Sequence, residues 1–353
     1  MSSPSIIQDI RIVPFAGFEP TSITPIFDEQ CDEWLSRLRW DYAEPSRLLR
    51  SVLRKGELTG LVAVIGAATS RAGAKAKGPL KNAAASSGGV AGGTALGFSF
   101  YVIEGTRASI GDIYVSEKYR SAGIDKELAL AVLEKLKTQP RLRRIESQSV
   151  NFDNPGADQV FVSRGFERYE RRFMLAHLLS SHIHPESSGL PTGGPGTIRI
   201  RPWREDDYGG AVRTIFRSYR GEDDSRINSQ YGSEEGCAEL LSILTDTVWC
   251  GRFLPEVSRV ASCSVTGNQV GVLIASRMSA DTGHLGQISV LPGYQGRGIG
   301  RLLIQSASSE LSRRGFDCVS LAVTATNTRA LSLYQSCGFS TIHSFPVYFW
   351  RRK

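Results

Sequence analysis

Two stretches of this sequence align with each other without a gap, and this internal repeat limits the folds that are open to the chain. Residues 113–125 align with residues 288–300. Further pairs align downstream, namely Asn154 with Asn327, Phe161 with Tyr334, and residues 164–166 with 337–339. Self-similarity of this kind indicates that one structural unit occurs twice. We therefore expect two copies of one domain rather than a single large fold.

The length of the chain agrees with two domains of ordinary size. It has 353 residues, of which 41% are hydrophobic, and single cores seldom grow beyond about 250–300 residues. Residues 180–196 are rich in Gly, Pro and Ser and lack apolar periodicity, which is typical of a linker. We predict an N-terminal domain at 1–179, a linker at 180–196, a C-terminal domain at 197–353, and a flexible hairpin insertion at about 67–95.

The second copy of the repeat contains a glycine-rich turn between a strand pattern and a helix pattern. Residues 295–300 read Gln-Gly-Arg-Gly-Ile-Gly and follow the strand-like run 285–290. Backbone N–H groups at a helix start attract anions, and glycine lets a phosphate approach closely. A dinucleotide fingerprint would need glycine at Arg301, and a P-loop would need a Gly-Lys-Ser/Thr ending. The pattern therefore predicts a phosphate-binding turn of another kind.

Two motifs of the C-terminal half resemble those of the GNAT N-acetyltransferases. Gln295, Gly298 and Gly300 match the Gln/Arg-x-x-Gly-x-Gly/Ala signature that cradles the pyrophosphate of acetyl-CoA in that family. Residues 323–339 resemble the second coenzyme motif, in which an Asn at a strand end and a Tyr on the next helix approach the pantetheine arm. Asn327 and Tyr334 occupy those two places. The internal repeat then makes the chain a tandem GNAT.

The resemblance implies a fold class and a set of coenzyme contacts. The fold is α/β, with two tandem GNAT domains that are each a mixed, mostly antiparallel sheet flanked by helices. Acetyl-CoA is the expected acyl donor, and no metal is expected. The residues expected to bind it are Ile288, Val290, Gln295, Gly296, Arg297, Gly298, Ile299, Gly300, Arg301 and Asn327. A structural alternative stays open for Asn327, because Asn is a preferred helix N-cap in any protein.

The expected reaction is direct transfer of an acetyl group to a primary amine within a ternary complex. The amine must lose a proton, and His284, which lies eleven positions before Gln295, is the candidate base, with a water chain as the alternative. By resemblance, the backbone N–H near Val290 polarises the thioester carbonyl and the Tyr334 hydroxyl protonates the thiolate. Two structural roles stay open, in which His284 only starts a strand and Tyr334 is a core aromatic residue.

The first copy differs from the second where the chemistry would occur. Asp125 replaces Gly300 at the end of the turn and brings a carboxylate to the place of a diphosphate. Phe161 lacks the hydroxyl that Tyr334 carries. Asp near a helix start also stabilises a helix without any ligand. We therefore expect a degenerate, non-catalytic N-terminal copy.

The sequence indicates less about the acceptor and other partners than about the coenzyme. By resemblance, acceptor recognition belongs to residues 219–231 and 345–350, and the acceptor is a small-molecule amine or a peptide N-terminus. A non-enzymatic acyl-CoA sensor is the competing hypothesis. The net charge of +7 suits a polyanionic coenzyme, and without a basic aromatic face nucleic acid is not expected. The six scattered cysteines and the lack of a signal or membrane-spanning run predict a cytoplasmic protein.

Overall fold

The computed structural model describes residues 10–66, 93–178 and 197–352. The predicted linker and most of the predicted insertion lie outside the described residues. The chain forms two compact units. The first unit takes residues 1–32, 46–168 and 348–353, and the second takes residues 33–45 and 169–347. This division differs from the domain boundaries predicted from the sequence. Residues 33–45 and 169–179 belong to the second unit, and residues 348–353 belong to the first.

The first half of the chain alternates strands and helices. In chain order these are β1 (Arg11–Pro14), α1 (Thr24–Leu38), α2 (Ala43–Arg54), β2 (Gly60–Ile65), β3 (Thr94–Glu104), β4 (Arg107–Val115), α3 (Ile124–Lys137), β5 (Arg144–Ser147), α4 (Pro155–Ser163) and β6 (Glu167–His177). β2 and β3, the strands that flank the predicted insertion, pair antiparallel from Gly60 with Phe100 to Ile65 with Thr94.

The second half repeats this alternation after additional helices. Its elements are β7 (Ile198–Pro202), α5 (Tyr208–Tyr219), α6 (Asp223–Ile227), α7 (Glu234–Asp246), β8 (Arg252–Phe253), β9 (Arg259–Cys263), β10 (Gln269–Arg277), β11 (Thr282–Val290), α8 (Ile299–Arg313), β12 (Cys318–Thr324), α9 (Thr328–Ser336) and β13 (Ser340–Arg351). α8 begins at Ile299 and Gly315 follows it with a φ of 82°, so the helix ends at the glycine that the sequence indicates.

Each unit contains a mixed sheet in which one neighbouring pair is parallel. In the first unit the strand order is β1, β2, β3, β4, β5 and the end of β13, and only β4 and β5 run parallel. In the second unit the order is β6, β12, β11, β10, β9 and β7, and only β11 and β12 run parallel. A parallel pair needs a crossover, which α3 supplies in the first unit and α8 in the second. The fold class predicted from the sequence is confirmed.

The second unit has an apolar core on one face of its sheet. Leu303, Ala307 and Leu311 of α8 are fully buried and pack with strand residues such as Leu273 and Val319. Their helical spacing explains the position of α8, because one apolar stripe of the helix faces the sheet. This packing fixes the start of α8 at the end of β11.

The parallel pair of the second unit separates before its strands end. β11 pairs with β12 from Thr282 opposite Cys318 to His284 opposite Ser320. Beyond that point β11 continues to Val290 and β12 continues to Thr324 without further pairing between them. Two diverging strands leave backbone N–H and C=O groups without a sheet partner, and such groups are available to a ligand.

Two further features concern the chain as a whole. All six cysteines are free thiols. Among the described residues, no helix combines the length and the apolar character that crossing a bilayer requires.

Candidate active site

A cavity of about 300 Å³ lies where β11 ends, α8 begins and α9 begins in the second unit. Most of the predicted coenzyme residues line it, as does Tyr334. The predicted residues in its lining are Ile288, Val290, Gln295, Gly296, Gly298, Ile299, Gly300, Arg301, Asn327 and Tyr334. Arg297 and His284 are not part of the lining. The structure therefore brings together both sequence motifs at one place.

The glycine turn has a backbone conformation that favours glycine. Gly296 has a φ of 76° and Gly298 a φ of 79°, both in the left-handed region. A Cβ atom on Gly298 would meet nothing within 4 Å, so the position is open towards the cavity. Gly298 is the N-cap of α8 and has no side chain to occupy the first N–H groups of the helix. Because no capping side chain occupies these N–H groups, they are available to bind an anion.

The backbone N–H groups at the end of β11 point alternately towards β10 and towards the gap beside β12. Leu291 donates its N–H to the carbonyl oxygen of Val270 at 2.9 Å. Successive residues of an antiparallel strand alternate between bonding their partner strand and facing away from it. The N–H of Val290 and the N–H of Ile288 therefore face away from β10, towards the gap beside β12.

Gln295 connects the turn to the elements on both sides of the cavity. Its Nε2 donates to the carbonyl oxygen of Val290 at 2.9 Å. Its Oε1 accepts from the Arg329 guanidinium at 2.5 Å. The Arg329 side chain also lies 3.6 Å from a carboxylate oxygen of Glu222. Gln295 thus holds the turn in place, and both its amide nitrogen and its amide oxygen are engaged in hydrogen bonds.

Asn327 caps α9 and lines the cavity at the same time. Its Oδ1 accepts a hydrogen bond from the N–H of Ala330 at 3.1 Å. Asn327 therefore acts as a helix N-cap, which is the structural alternative that the sequence left open for it. A contact with a pantetheine arm stays a prediction, and it would involve the side-chain amide group that the cap leaves available.

Tyr334 is a buried residue of the cavity lining. It is 8% exposed, and its ring lies 6.1 Å from that of Phe339. Burial raises the pKa of Tyr334 well above its usual value, and the neighbouring Tyr219 and Asp224 raise it further. The hydroxyl is protonated at neutral pH, as in any tyrosine, and its raised pKa makes it a hydrogen-bond donor that is a weaker acid than a free tyrosine.

His284 lies at the point where β11 and β12 separate. Its Nδ1 lies 2.9 Å from the Ser320 hydroxyl, and its ring stacks against Phe173 and Trp40 at centroid distances of 6.0 and 6.5 Å. Burial lowers the pKa of His284 to about 4, so the imidazole is neutral at pH 7. Because His284 does not line the cavity, its role as a base stays a prediction and would need a relay.

A polar network borders the cavity on the side of the predicted acceptor segment. The Tyr219 and Tyr231 rings stack at 3.9 Å. Gln287 accepts from the Tyr231 hydroxyl at 3.0 Å and its Nε2 lies 3.1 Å from the Tyr219 oxygen. Asp224 accepts from the Thr324 hydroxyl at 2.6 Å. Tyr219 and Glu222, both from the segment predicted to recognise the acceptor, belong to the cavity lining.

Several residues that line the cavity were not predicted from the sequence. One segment that was predicted to recognise the acceptor does not line the cavity. The missed residues are Ser218, Ser289, Tyr294, Arg329, Ala330 and Leu333. Strand alternation places the Ser289 side chain on the opposite face of β11 from those of Ile288 and Val290, so strand periodicity gave no signal for Ser289. None of residues 345–350 lines this cavity. Among the described residues, no group of three or more His, Cys, Asp or Glu side chains could hold a metal ion.

The first unit shows a different arrangement at the aligned positions. Asp125 is 2% exposed and its Oδ2 accepts from the N–H of Ala157, in the first turn of α4, at 2.9 Å. The amide of Asn154 donates to the carbonyl oxygen of Ile113 at 2.7 Å. The Phe161 ring stacks on Tyr348 at a centroid distance of 4.4 Å. The Asp125 carboxylate, the Asn154 amide nitrogen and the Phe161 ring thus have partners within the protein, whereas the buried Oδ1 of Asn154 has no hydrogen-bond partner among the described residues.

Comparison with known proteins agrees with this site. The model of the acetyltransferase (GNAT) family matches residues 22–166 and 227–339. A mycothiol acetyltransferase of Beutenbergia cavernae is 42% identical over 65% of this chain and 73% of that protein. One from Renibacterium salmoninarum is 26% identical over 67% of each chain.

A solved structure shows the same fold over the whole length. A tandem GNAT protein from the clavulanic acid biosynthesis pathway superposes with a TM-score of 0.57 at 14% identity, and the match covers 97% of this chain and 98% of that one. Two matches to one family model and a full-length tandem neighbour agree with the repeat in the sequence. This chain is a member of the GNAT family of acetyltransferases, with two copies of the GNAT fold in tandem.

Proposed function

We propose that the cavity of the second unit binds acetyl-CoA and that the protein transfers the acetyl group from it to a primary amine in a ternary complex. The observation that carries this proposal is the convergence of the open glycine turn, the diverging strand edge and a protonated Tyr334 on one cavity. The first unit, in our proposal, has no catalytic site of its own.

The residues of the cavity fit the parts of this coenzyme. The N–H groups at the start of α8 would hold the pyrophosphate, and the conformation of Gly296 and Gly298 keeps side chains out of its way. The gap between β11 and β12 offers free backbone groups to the amides of the pantetheine arm. The coenzyme supplies the reactive thioester, whose carbonyl carbon accepts the amine.

Two groups of this chain are placed to assist the transfer. The N–H of Val290, which faces the gap, would donate to the thioester carbonyl oxygen as negative charge develops there. When the C–N bond forms and the C–S bond breaks, the sulfur needs a proton. The Tyr334 hydroxyl, which lines the cavity and is protonated at neutral pH, would supply it.

The amine nitrogen must lose a proton during the same reaction. A lysine-like amine has a pKa near ~10 and an α-amino group near ~8, so a neutral amine is the minor species at neutral pH. We favour a water chain over His284, because His284 lies outside the lining and its pKa of about 4 makes it a weak acceptor. The Glu222 carboxylate in the lining would attract a cationic amine to the cavity.

The acceptor that we propose first is a small polar amine. The lining offers polar groups to such an acceptor, among them the side chains of Ser218, Tyr219 and Glu222. The named relatives with the longest matches are mycothiol acetyltransferases, whose names indicate a small-molecule product. A peptide N-terminus is the alternative acceptor.

The experiment that tests the proposal is an isothermal titration of the full-length protein with acetyl-CoA, followed by a free-thiol assay with a panel of amines. We expect one binding site per chain, and release of free CoA that depends on an amine such as a mycothiol precursor. Binding without amine-dependent release would instead support a coenzyme sensor. No binding, or two equal sites, would contradict the proposed assignment to the second unit.

A further inference from the structure

A second cavity in the second unit has the chemistry of an anion site. Its volume is about 230 Å³, and it lies between α5, the turn that joins β9 to β10, and the segment after β11. Arg213, Arg217, Asn268, Gln269 and Tyr294 contribute polar groups to its wall. No acidic residue is among the residues that line it. The wall therefore offers donors and positive charge without a carboxylate to neutralise them.

The two arginines of this cavity lie on one face of α5. Arg213 and Arg217 are four residues apart in the sequence, and side chains at this spacing are neighbours on a helix. Like charges at this spacing destabilise a helix slightly, so the pair has a small cost in the absence of an anion. Some of the other arginines of the second unit have carboxylate partners, for example Arg201 with Asp207 and Arg314 with Glu256. Among the described residues, Arg213 and Arg217 have no such ion pair.

Gln269 gives independent support for a missing acceptor at this place. Its Nε2 is buried, and it has no hydrogen-bond partner among the described residues. A buried donor without an acceptor costs free energy, which an acceptor atom entering beside it would offset. Gly210 belongs to the same wall, and a Cβ there would lie 2.5 Å from the Gln269 Oε1. A glycine at this position thus leaves room for the amide.

Tyr294 separates this cavity from the candidate active site. Tyr294 belongs to the lining of both cavities. The Arg297 guanidinium lies over the Tyr294 ring, 5.3 Å from its centroid. A third positive charge thus stands at the shared wall, next to the glycine turn.

We propose that this cavity binds a phosphate group, separately from the pyrophosphate turn at the start of α8. The phosphate can belong to a free phosphorylated small molecule or to the 3′-phosphate of the coenzyme, because both present the same dianion to the arginines. Two guanidinium groups with five donors each suit a phosphate, which has several acceptor oxygens. This inference does not depend on the proposed acetyl transfer, because free phosphate is a sufficient probe.

The first test is a calorimetric titration of the full-length protein with inorganic phosphate at constant ionic strength. We expect the double variant Arg213→Gln, Arg217→Gln to bind phosphate at least about tenfold more weakly than the native protein, since charged hydrogen bonds are lost. Arg220→Gln is the matched control, because Arg220 follows the same helix, carries the same charge and stacks over Phe216 instead of lining the cavity. Equal phosphate binding by the native protein and the double variant would overturn the proposal.

The second test identifies the source of the phosphate. The affinities for acetyl-CoA and for its 3′-dephospho form are compared in the native protein and in the double variant. A selective loss for acetyl-CoA, together with competition by phosphate, would assign the cavity to the coenzyme's 3′-phosphate. Unchanged coenzyme affinity, with phosphate still bound beside saturating acetyl-CoA, would assign it to a separate molecule. If the double variant changes neither phosphate binding nor the preference for acetyl-CoA, the site does not exist.

Discussion

The two copies of the GNAT fold present the same backbone N–H group to two different partners. In the second unit the N–H of Ala330 donates to the side chain of its own N-cap, Asn327. In the first unit the aligned N–H, that of Ala157, donates instead to Asp125 from the first turn of α3. The carboxylate of Asp125 thus reaches from one helix start to the next. In the second unit the position of this carboxylate is held by Gly300, and a cavity lies there.

The change at Asp125 has a second consequence in the first unit. Asn154 no longer caps its helix, and its amide donates to the carbonyl oxygen of Ile113 on β4. Ile113 aligns with Ile288, whose strand edge lines the cavity of the second unit. In the first unit the carbonyl oxygen of Ile113 therefore has a partner within the protein. In our proposal, the first copy has lost the binding site while it keeps its sheet and its helices.

The largest effect that separates the copies is expected from a carboxylate on the glycine turn. Gly298→Glu should weaken acetyl-CoA binding by at least about a hundredfold, because a negative charge would face the pyrophosphate. Isothermal titration of the full-length variant measures this loss. A Cβ at Gly298 would meet nothing within 4 Å, so the remaining cost of a side chain there is the backbone strain of the positive φ.

The first copy provides the matched control for this substitution. Gly123 aligns with Gly298, has a φ of 72° and is equally open around its Cβ. Gly123→Glu therefore imposes the same backbone strain and the same charge, and acetyl-CoA binding should stay unchanged. A similar loss from both substitutions would mean that strain, or a second coenzyme site, explains the effect.

The next effect concerns the hydroxyl that only the second copy carries. Tyr334→Phe keeps the buried ring and removes the proposed proton donor, so kcat should fall by about a hundredfold. The dissociation constant of acetyl-CoA should change little, because the ring still lines the cavity. Steady-state kinetics with a titration of the coenzyme separates the two quantities. Unchanged kcat would exclude Tyr334 as the acid, and Phe161→Tyr should add no activity.

Local features of the site were predictable from the sequence because they depend on neighbouring residues. The glycine turn, the strand before it and the helix after it follow from spacing and from the conformational freedom of glycine. The surroundings of His284 were not predictable in this way. Trp40, which stacks on His284, comes from a distant segment that the predicted domain boundaries assign to the N-terminal domain. No periodic pattern connects two residues so far apart in the chain.

The acceptor side shows the same limitation. Asp224 and Thr324 are 100 positions apart and form a hydrogen bond of 2.6 Å. The sequence indicated an acidic segment near the acceptor, but only the folded chain shows that Glu222 lines the cavity while Asp224 bonds Thr324. Long-range packing decides which carboxylate of such a segment meets a ligand.

A third prediction uses the position at which His284 replaces the Ser109 of the first copy. The pKa of His284 is lowered from 6.5 to about 4 in the folded protein, so below pH 6.5 the unfolded chain binds a proton that the folded chain does not. Stability is therefore lost as the pH falls, by about 2 kcal/mol between pH 7 and pH 5 from this residue. Urea unfolding at the two pH values measures it, and His284→Asn should reduce the pH dependence by that amount. An unchanged pH dependence in the variant would contradict the buried neutral imidazole.

The smallest effects come from the two caps themselves, and they test the comparison most directly. Asp125→Ala and Asn327→Ala each remove the acceptor of one first-turn N–H, so each should lower the free energy of unfolding by about 1 kcal/mol. Only Asn327→Ala should also raise the KM for acetyl-CoA, because Asn327 lines a cavity and Asp125 fills its own site. Chemical denaturation and steady-state kinetics of both variants supply the two readouts. If Asp125→Ala raised the KM as much as Asn327→Ala does, Asp125 would have to influence the coenzyme, and the first copy would have more than a structural role.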